Sequence, residues 1–401
     1  VTPPRAQASV NVAAIERNCA RLRGELGERG ELCAVVKADG YGHGAVQSAV
    51  AAVLAGADYL AVATAQEAHE LRSARELAVH PVSILVMGAL QPDEVALARE
   101  ARAELVVWNE EQVRVAAAVG RGPAPVHVKL DSGMGRLGTR DVEAASRVLA
   151  LARELDGVEP VGLMTHFATA DELDDDGFFD QQLRVFSRWV EREKSRQPDL
   201  IAHAANSAAV LRDPNAHFDM VRCGVAIYGM DPFGVDPAER ALVPALTLTS
   251  YVAEVKPCRA GESAGYGRRF VAECDTWLGV LPIGYGDGVR RGLSNNADVL
   301  VDGARYPLVG TVSMDNVTID LGPDASAQRL RGKPAVLIGA DRNDRITAEE
   351  VARRLNTINY EITCGLTSRV VRDHRRTDDA DGESDEGSDD DATLGADLSP
   401  S

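Results

Sequence analysis

Residues able to do chemistry gather in a few short segments. The first is AVVKADGYGHG, residues 34–44, where Lys37 closes an otherwise apolar run. An ammonium there is costly unless it is paired or gives up its proton. A partly neutral lysine can attack a carbonyl or accept a proton, and a salt-bridged structural lysine is the competing reading. Gly40, Gly42 and Gly44 permit tight turning beside it. In HVKLDSGMGRLG, residues 127–138, a strand bearing Lys129 runs into a glycine-containing loop with Arg136. That arginine is either a two-pronged carboxylate donor or an ordinary surface cation. His166 follows the apolar VGLMT and is either a satisfied core or loop group or a catalyst, and His203 stands similarly in HAANSAA. Asn206 and Ser207 head an apolar run, as a helix cap would. Arg222, inside MVRCGVAIYG, needs acceptors if buried, and Tyr266, between Gly265 and Gly267, reads locally as a loop packing residue.

The elements that must position these groups follow a repeat. Apolar strand-like runs occupy 32–38, 59–64, 82–88, 105–109, 125–131, 161–167, 199–205 and 220–229. Helix-spaced stretches such as 91–103, 142–157 and 174–196 lie between them. This alternation predicts a parallel sheet covered by helices, and eight units match a closed (β/α)8 TIM barrel of the α/β class. An open doubly wound sheet has similar spacing, but no GxGxxG follows the first strand, and polar residues end many different strands. After the Pro/Gly/Asp-marked stretch 231–245 the pattern becomes strand-like and turn-separated, so residues 1–240 form the barrel and 241–376 a mostly β domain. Within the latter, 346–357 reads as one helix with Thr347 and Glu350 in capping-box positions.

The 401 residues allow about two to three domains. Formal charge is −18, yet ten of the 61 acids fall in residues 377–401, which carry no Lys or Arg and are expected to be a disordered acidic tail. The remaining 51 acids against 43 basic residues give no broad basic field, which argues against nucleic acid. No apolar run is long enough for a membrane span and no leader is evident, so a cytoplasmic protein is expected. The six scattered cysteines read as core thiols, and no metal site is expected.

The segments AVVKADGYGHG, HVKLDSGMGRLG, THFATADE, HAANSAA, MVRCGVAIYG, GYGRRF, LPIGYGDGVRRGLSN, VGTVSMDN and NTINYEITCG occur in this order, and together the sequence resembles the alanine racemase family. The resemblance covers residues from about 5 to 372. It implies a pyridoxal 5'-phosphate (PLP) enzyme in which Lys37 carries the cofactor and exchanges a proton on one face of alanine. It makes Tyr266, from the second subunit of a homodimer, the proton-transfer group on the other face. By the same resemblance Arg136 contacts cofactor and substrate carboxylate, Lys129 either is carbamylated to hold Arg136 or forms an ordinary salt bridge, and Arg222 faces the pyridine nitrogen. His166 then links Arg222 to the catalytic tyrosine, and His203 lies beside the cofactor. Asn206, Ser207, Gly224, Val225, Tyr41 and Tyr360 surround the phosphate. Met314 offers its backbone N–H to the substrate carboxylate from the partner's side, with Asp315 next to it; Tyr285 stands at the entrance and Asp287 orients nearby groups. Departures from the family pattern are Ser313 before the Met-Asp pair and Gly286 in GYGD. The implied activity is L-alanine to D-alanine interconversion supplying peptidoglycan precursors. A serine racemase, a barrel decarboxylase and a non-enzymatic PLP carrier are the alternatives, of which the last two leave Tyr266 and the β domain without a purpose.

Overall fold

In the computed structural model, which describes residues 4–28 and 30–377, the chain opens with strand β1 (Gln7–Asn11) and helix α1 (Val12–Arg23). Asn11 caps α1 by accepting from the Ala13 N–H at 3.1 Å, and α1 buries Ala14, Ile15, Cys19 and Leu22. Eight parallel strands then close on themselves: β2 (Glu31–Val35), β3 (Tyr59–Val62), β4 (Ser83–Val86), β5 (Glu104–Val107), β6 (Ala124–Lys129), β7 (Val158–Met164), β8 (Ile201–His203) and β9 (Met220–Cys223). Closure pairs β2 with β9, placing Cys33 opposite Arg222. Runs such as SILV and ELVV are almost wholly buried, as strands walled by helices on one side and packed into a barrel interior on the other must be.

The α/β first unit is as expected, but its regular (β/α)8 alternation is not kept. The run 220–229 is a strand only through Cys223; a 3-10 turn, Val225–Tyr228, follows it. Among the described residues no long helix follows β9, and α1 packs there instead. Its buried Asn18 donates to the carbonyls of Ile227 and Val243 at 3.2 and 2.9 Å and accepts from the Val243 N–H at 2.9 Å. The stretches read as helices over 91–103, 142–157 and 174–196 are helical over Pro92–Glu100, Val142–Glu154 and Phe178–Lys194.

The second unit is β-rich. Its strands are β10 (Leu246–Tyr251), β11 (Glu254–Cys258), β12 (Ser263–Ala264), β13 (Phe270–Val271), β14 (Thr276–Leu281), β15 (Asp298–Val301), β16 (Ala304–Val309), β17 (Val317–Gly322), β18 (Pro334–Asp341), β19 (Asp344–Ile346) and β20 (Val371–Arg375). One sheet runs β11-β14-β17-β16-β15-β18-β10-β1-β20, so among the described residues the first strand lies between the last and β10. Thr347 caps the helix Ala348–Leu355 by accepting from the Glu350 N–H at 3.1 Å. The Glu350 carboxylate does not complete a capping box; it pairs with Arg305 and Arg354 at 2.7 and 3.0 Å. A second helix, Asn359–Cys364, brings Tyr360 toward the barrel. All six cysteines are free, but Cys274 and Cys364 are exposed rather than core residues. The acidic tail beyond Thr377 lies outside the described residues.

Candidate active site

The strand ends at one mouth of the barrel carry Lys37, Lys129, His166, His203 and Arg222. Lys37 follows β2 after one residue, and from Ala38 the backbone winds left-handed through Ala38, Asp39, Gly40, Tyr41 and Gly42, with φ between 52° and 84°. Such a turn costs roughly 1–2 kcal/mol per non-glycine residue, so its surroundings must enforce it. Glu67 does so: its carboxylate accepts from the N–H groups of Ala38, Ala63 and Thr64 at 2.7, 2.8 and 3.1 Å. Gly42 is required for a second reason, since a Cβ there would stand 2.2 Å from the Thr363 carbonyl oxygen. From β20, Arg372 donates to the Gly42 carbonyl at 3.1 Å and to those of Leu366 and Val370 at 2.9 and 2.8 Å. The β-rich unit thereby grips the lysine turn.

Burial, and next the Arg136 charge, lower the Lys37 pKa, with Glu67 opposing them. Among the described residues its amine has no hydrogen-bond or ion-pair partner. Lys129, the last residue of β6, is buried, and desolvation with the charges of Arg222 and Arg136 brings its pKa down to about 8. Arg136 is exposed in the loop after β6.

Arg222 is buried in β9 and held on four sides. It donates to His203 Nδ1 at 2.8 Å, His166 Nδ1 at 3.1 Å, and the carbonyls of Thr165 and Ala204 at 2.8 and 3.0 Å. A guanidinium can only donate, so each imidazole must present an unprotonated Nδ1. Both histidines are held neutral, with pKa values well below the ordinary range, by burial first and then by Arg222.

Tyr41 packs at 5.1 Å from the buried Tyr228 ring and at 6.0 Å from Tyr360. The Tyr228 hydroxyl donates to the Val35 carbonyl at 3.1 Å, whereas the hydroxyls of Tyr41 and Tyr360 find no acceptor among the described residues. Tyr41 also lies over Gly224, where a Cβ would come within 2.3 Å of its hydroxyl oxygen. Ser207 Oγ accepts from the N–H groups of Gly224 and Ala226 at 3.0 and 3.3 Å, so the Gly224 amide already has a partner. Val225 begins the turn after Gly224. Asn206 caps the helix Ser207–Arg212 through the Ala209 N–H at 3.0 Å, the local role of the two considered for it.

The remaining residues lie on loops of the β-rich unit. Tyr266 is 75% exposed although its backbone is anchored: Thr311 Oγ1 donates to its carbonyl at 2.7 Å, and a Cβ on Gly265 would meet the Thr311 nitrogen at 2.9 Å. Tyr285 and Met314 are likewise exposed, and Asp315 pairs with Arg369 at 2.7 Å. Asp287 is fully buried and accepts from Arg5 at 2.9 Å and from the Gly284 N–H at 2.9 Å, an orienting role. Glu67, Arg372, Glu104 and His127 were not singled out from the sequence. For Glu67 the signal was present, because TAQE is a capping box preceding the helix Ala65–Ser73.

The fold and site place the protein in a class: an α/β barrel joined to a β-rich unit, whose barrel mouth gathers an unpartnered lysine, a buried arginine and unengaged tyrosine hydroxyls, as enzymes of barrel fold gather polar groups at their strand ends. Two family models match, alanine racemase N-terminal domain over residues 10–232 and alanine racemase C-terminal domain over residues 245–374. The chain is 41% identical over 372 residues to an alanine racemase of Geobacillus stearothermophilus, covering 91% of this chain and 92% of that one. It is 39% identical over 368 residues to alanine racemase 1 of Bacillus subtilis, covering 91% and 92%. Its fold superposes on the alanine racemase of Streptomyces coelicolor with a TM-score of 0.85 at 37% identity, over 92% of this chain and 97% of that one. The chain belongs to the alanine racemase family, and its activity is the PLP-dependent isomerisation of alanine in D-alanine synthesis.

Proposed function

We propose that Lys37 and Tyr266 are the two proton-transfer groups of this racemase, working on opposite faces of the alanine Cα, with Tyr266 supplied by the second copy in a homodimer. The observation that carries this is the pairing of an unpartnered, low-pKa Lys37 with an exposed tyrosine on an anchored loop. Exchanging the Cα hydrogen between enantiomers requires a group on each side of the planar carbon. PLP, when bound, spreads the electron pair released at Cα into its ring.

The chain's residues fit that cofactor. The unengaged hydroxyls of Tyr41 and Tyr360, with the Gly224 cradle that a Cβ would fill, suit its phosphate. Ser207 and Val225 border the same cradle, and Asn206 caps the helix leading from it. Arg222, always cationic, opposes protonation of the ring nitrogen, and its bond to His166 Nδ1 leaves the His166 Nε2–H to donate toward Tyr266. His203 keeps Arg222 in place. Arg136 binds the substrate carboxylate, held by a carbamylated Lys129; Met314, Asp315 and Tyr285 of the partner subunit line the entrance. The barrel unit ends near residue 240, apart from β1.

The test is racemisation of D- and L-alanine by the purified protein with PLP, followed with the cofactor's absorption spectrum. Lys37→Ala is expected to abolish the lysine-bound absorption band and lower turnover by several orders of magnitude. An intact band with near-normal turnover would overturn the assignment.

A further inference from the structure

Arg222 carries a full positive charge inside the barrel, and none of its four partners is a carboxylate. The chain of contacts continues from one of them. His203 Nε2 lies 2.9 Å from His127 Nδ1, and His127 Nε2 lies 2.7 Å from Glu104 Oε2. Both imidazoles are fully buried, whereas the Glu104 side chain, at the start of β5, retains 12% exposure. The contacts therefore cross the barrel interior from the mouth toward the opposite end.

The proton positions follow from the ends. Arg222 can only donate, so His203 Nδ1 accepts and its proton sits on Nε2. That proton is given to His127 Nδ1, which places the His127 proton on Nε2, where a carboxylate accepts it. Every bond points the same way, from a fixed cation to an anion. The sequence also makes room for the crossing: β7 separates β6 from β8, and it carries Gly162 where a Cβ would stand 2.0 Å from His127 Nδ1. Any side chain there would push His127 off His203.

We propose that Glu104, through His127 and His203, is the remote counter-ion and positioning residue of Arg222, fixing the direction in which that guanidinium presents its remaining protons at the barrel mouth. The groups around the far end are Glu31, Asp58, Asp219, Tyr59 and Arg23, which pairs with Asp58, and Arg136 and Lys129 face the near end. The catalytic consequence rests on the site reading above; the proton positions do not.

The test uses the PLP-loaded enzyme labelled with 15N-histidine, comparing the native chain with Glu104→Gln, which keeps volume and an acceptor but removes charge, and Glu104→Leu, which removes both. Long-range 1H–15N spectra are expected to show His203 and His127 as Nε2–H tautomers in the native protein. Glu104→Leu should move both His203 ring nitrogen signals. It should also lower kcat in both directions by about tenfold, the scale on which loss of an outer partner weakens a metal-bound histidine, while KM for alanine stays within twofold. Glu104→Gln should retain the tautomers with a smaller fall. An Nδ1–H tautomer at His203, or unmoved His203 signals with unchanged kcat in both variants, would overturn the relay. Gly162→Ala gives an independent break, expected to shift the same signals without touching Glu104. If Lys37→Ala still racemises alanine, the site reading fails while the tautomers continue to test the relay; if only the relay variants are silent, the relay alone fails.

Discussion

Lys129 is expected to carry carbon dioxide as a carbamate. Its side chain is buried at 3% exposure, and among the described residues its ammonium has no hydrogen-bond or ion-pair partner. Burial, then Arg222 and Arg136, lower its pKa from the ordinary 10.5 to about 8, against the weaker pull of Asp131. That difference sets about 3 kcal/mol against the charged amine in the folded protein. Because the folded value is lowered, the penalty is fully present below about pH 8 and stability from this group rises between about 8 and 10.5. At pH 7 about one amine in ten is neutral, against about one in three thousand for a free lysine. The neutral nitrogen attacks the carbon of carbon dioxide, an N–C bond forms, a C–O π pair moves onto oxygen, and one proton leaves to water. An anion then stands among Arg136 and Arg222 where an unpaired cation stood. Protein equilibrated with 13C-labelled carbon dioxide should show a carbamate resonance that Lys129→Ala lacks. The variant should raise KM for alanine roughly 10- to 100-fold, as loss of a charge-assisted hydrogen bond to Arg136 would, and added acetate should restore part of it. No labelled carbon on the native protein, with an unchanged KM in Lys129→Ala, would refute the reasoning.

Other substitutions test the turn and the cradle. Gly224→Ala places a Cβ 2.3 Å from the Tyr41 hydroxyl oxygen, so equilibrium dialysis should show weaker PLP retention; unchanged affinity would remove Gly224 and Tyr41 from the phosphate site. Glu67→Ala removes the acceptor for three N–H groups around the lysine turn. It should cost about 1–2 kcal/mol in chemical denaturation and slow cofactor incorporation, and an unaltered midpoint with normal incorporation would contradict the clamp.

The parts of the fold that were legible are those set by local pattern. Buried strands such as SILV announce themselves by composition, and Lys37, Lys129 and Arg222 stand out because charge is rare in such runs. β1 and β20 do not, since QASVN and VRDHR are short, mixed in polarity and paired only with each other and with β10. The left-handed conformation at Ala38, Asp39 and Tyr41 opposes local preference and is enforced by Glu67 and the packing of Thr363, partners far away in sequence. Gly162 carries no local signal at all, because its need arises from a histidine on the neighbouring strand. Tyr266 was legible only through the family resemblance: its flanking glycines suggest a loop, and its exposure acquires meaning only against a second chain.

Transfer at two faces by two different groups is tested most directly with Tyr266→Phe, which keeps the ring and removes the hydroxyl. Cofactor absorption and dimer formation should survive. Overall racemisation must fall in both directions, since a catalyst leaves the equilibrium constant untouched, so steady-state rates do not distinguish the faces. Solvent deuterium exchange at Cα, measured before racemisation and separately for each enantiomer, does. Exchange into D-alanine should persist through Lys37 while exchange into L-alanine is nearly lost; equal retention of both would contradict Tyr266 as the L-face group.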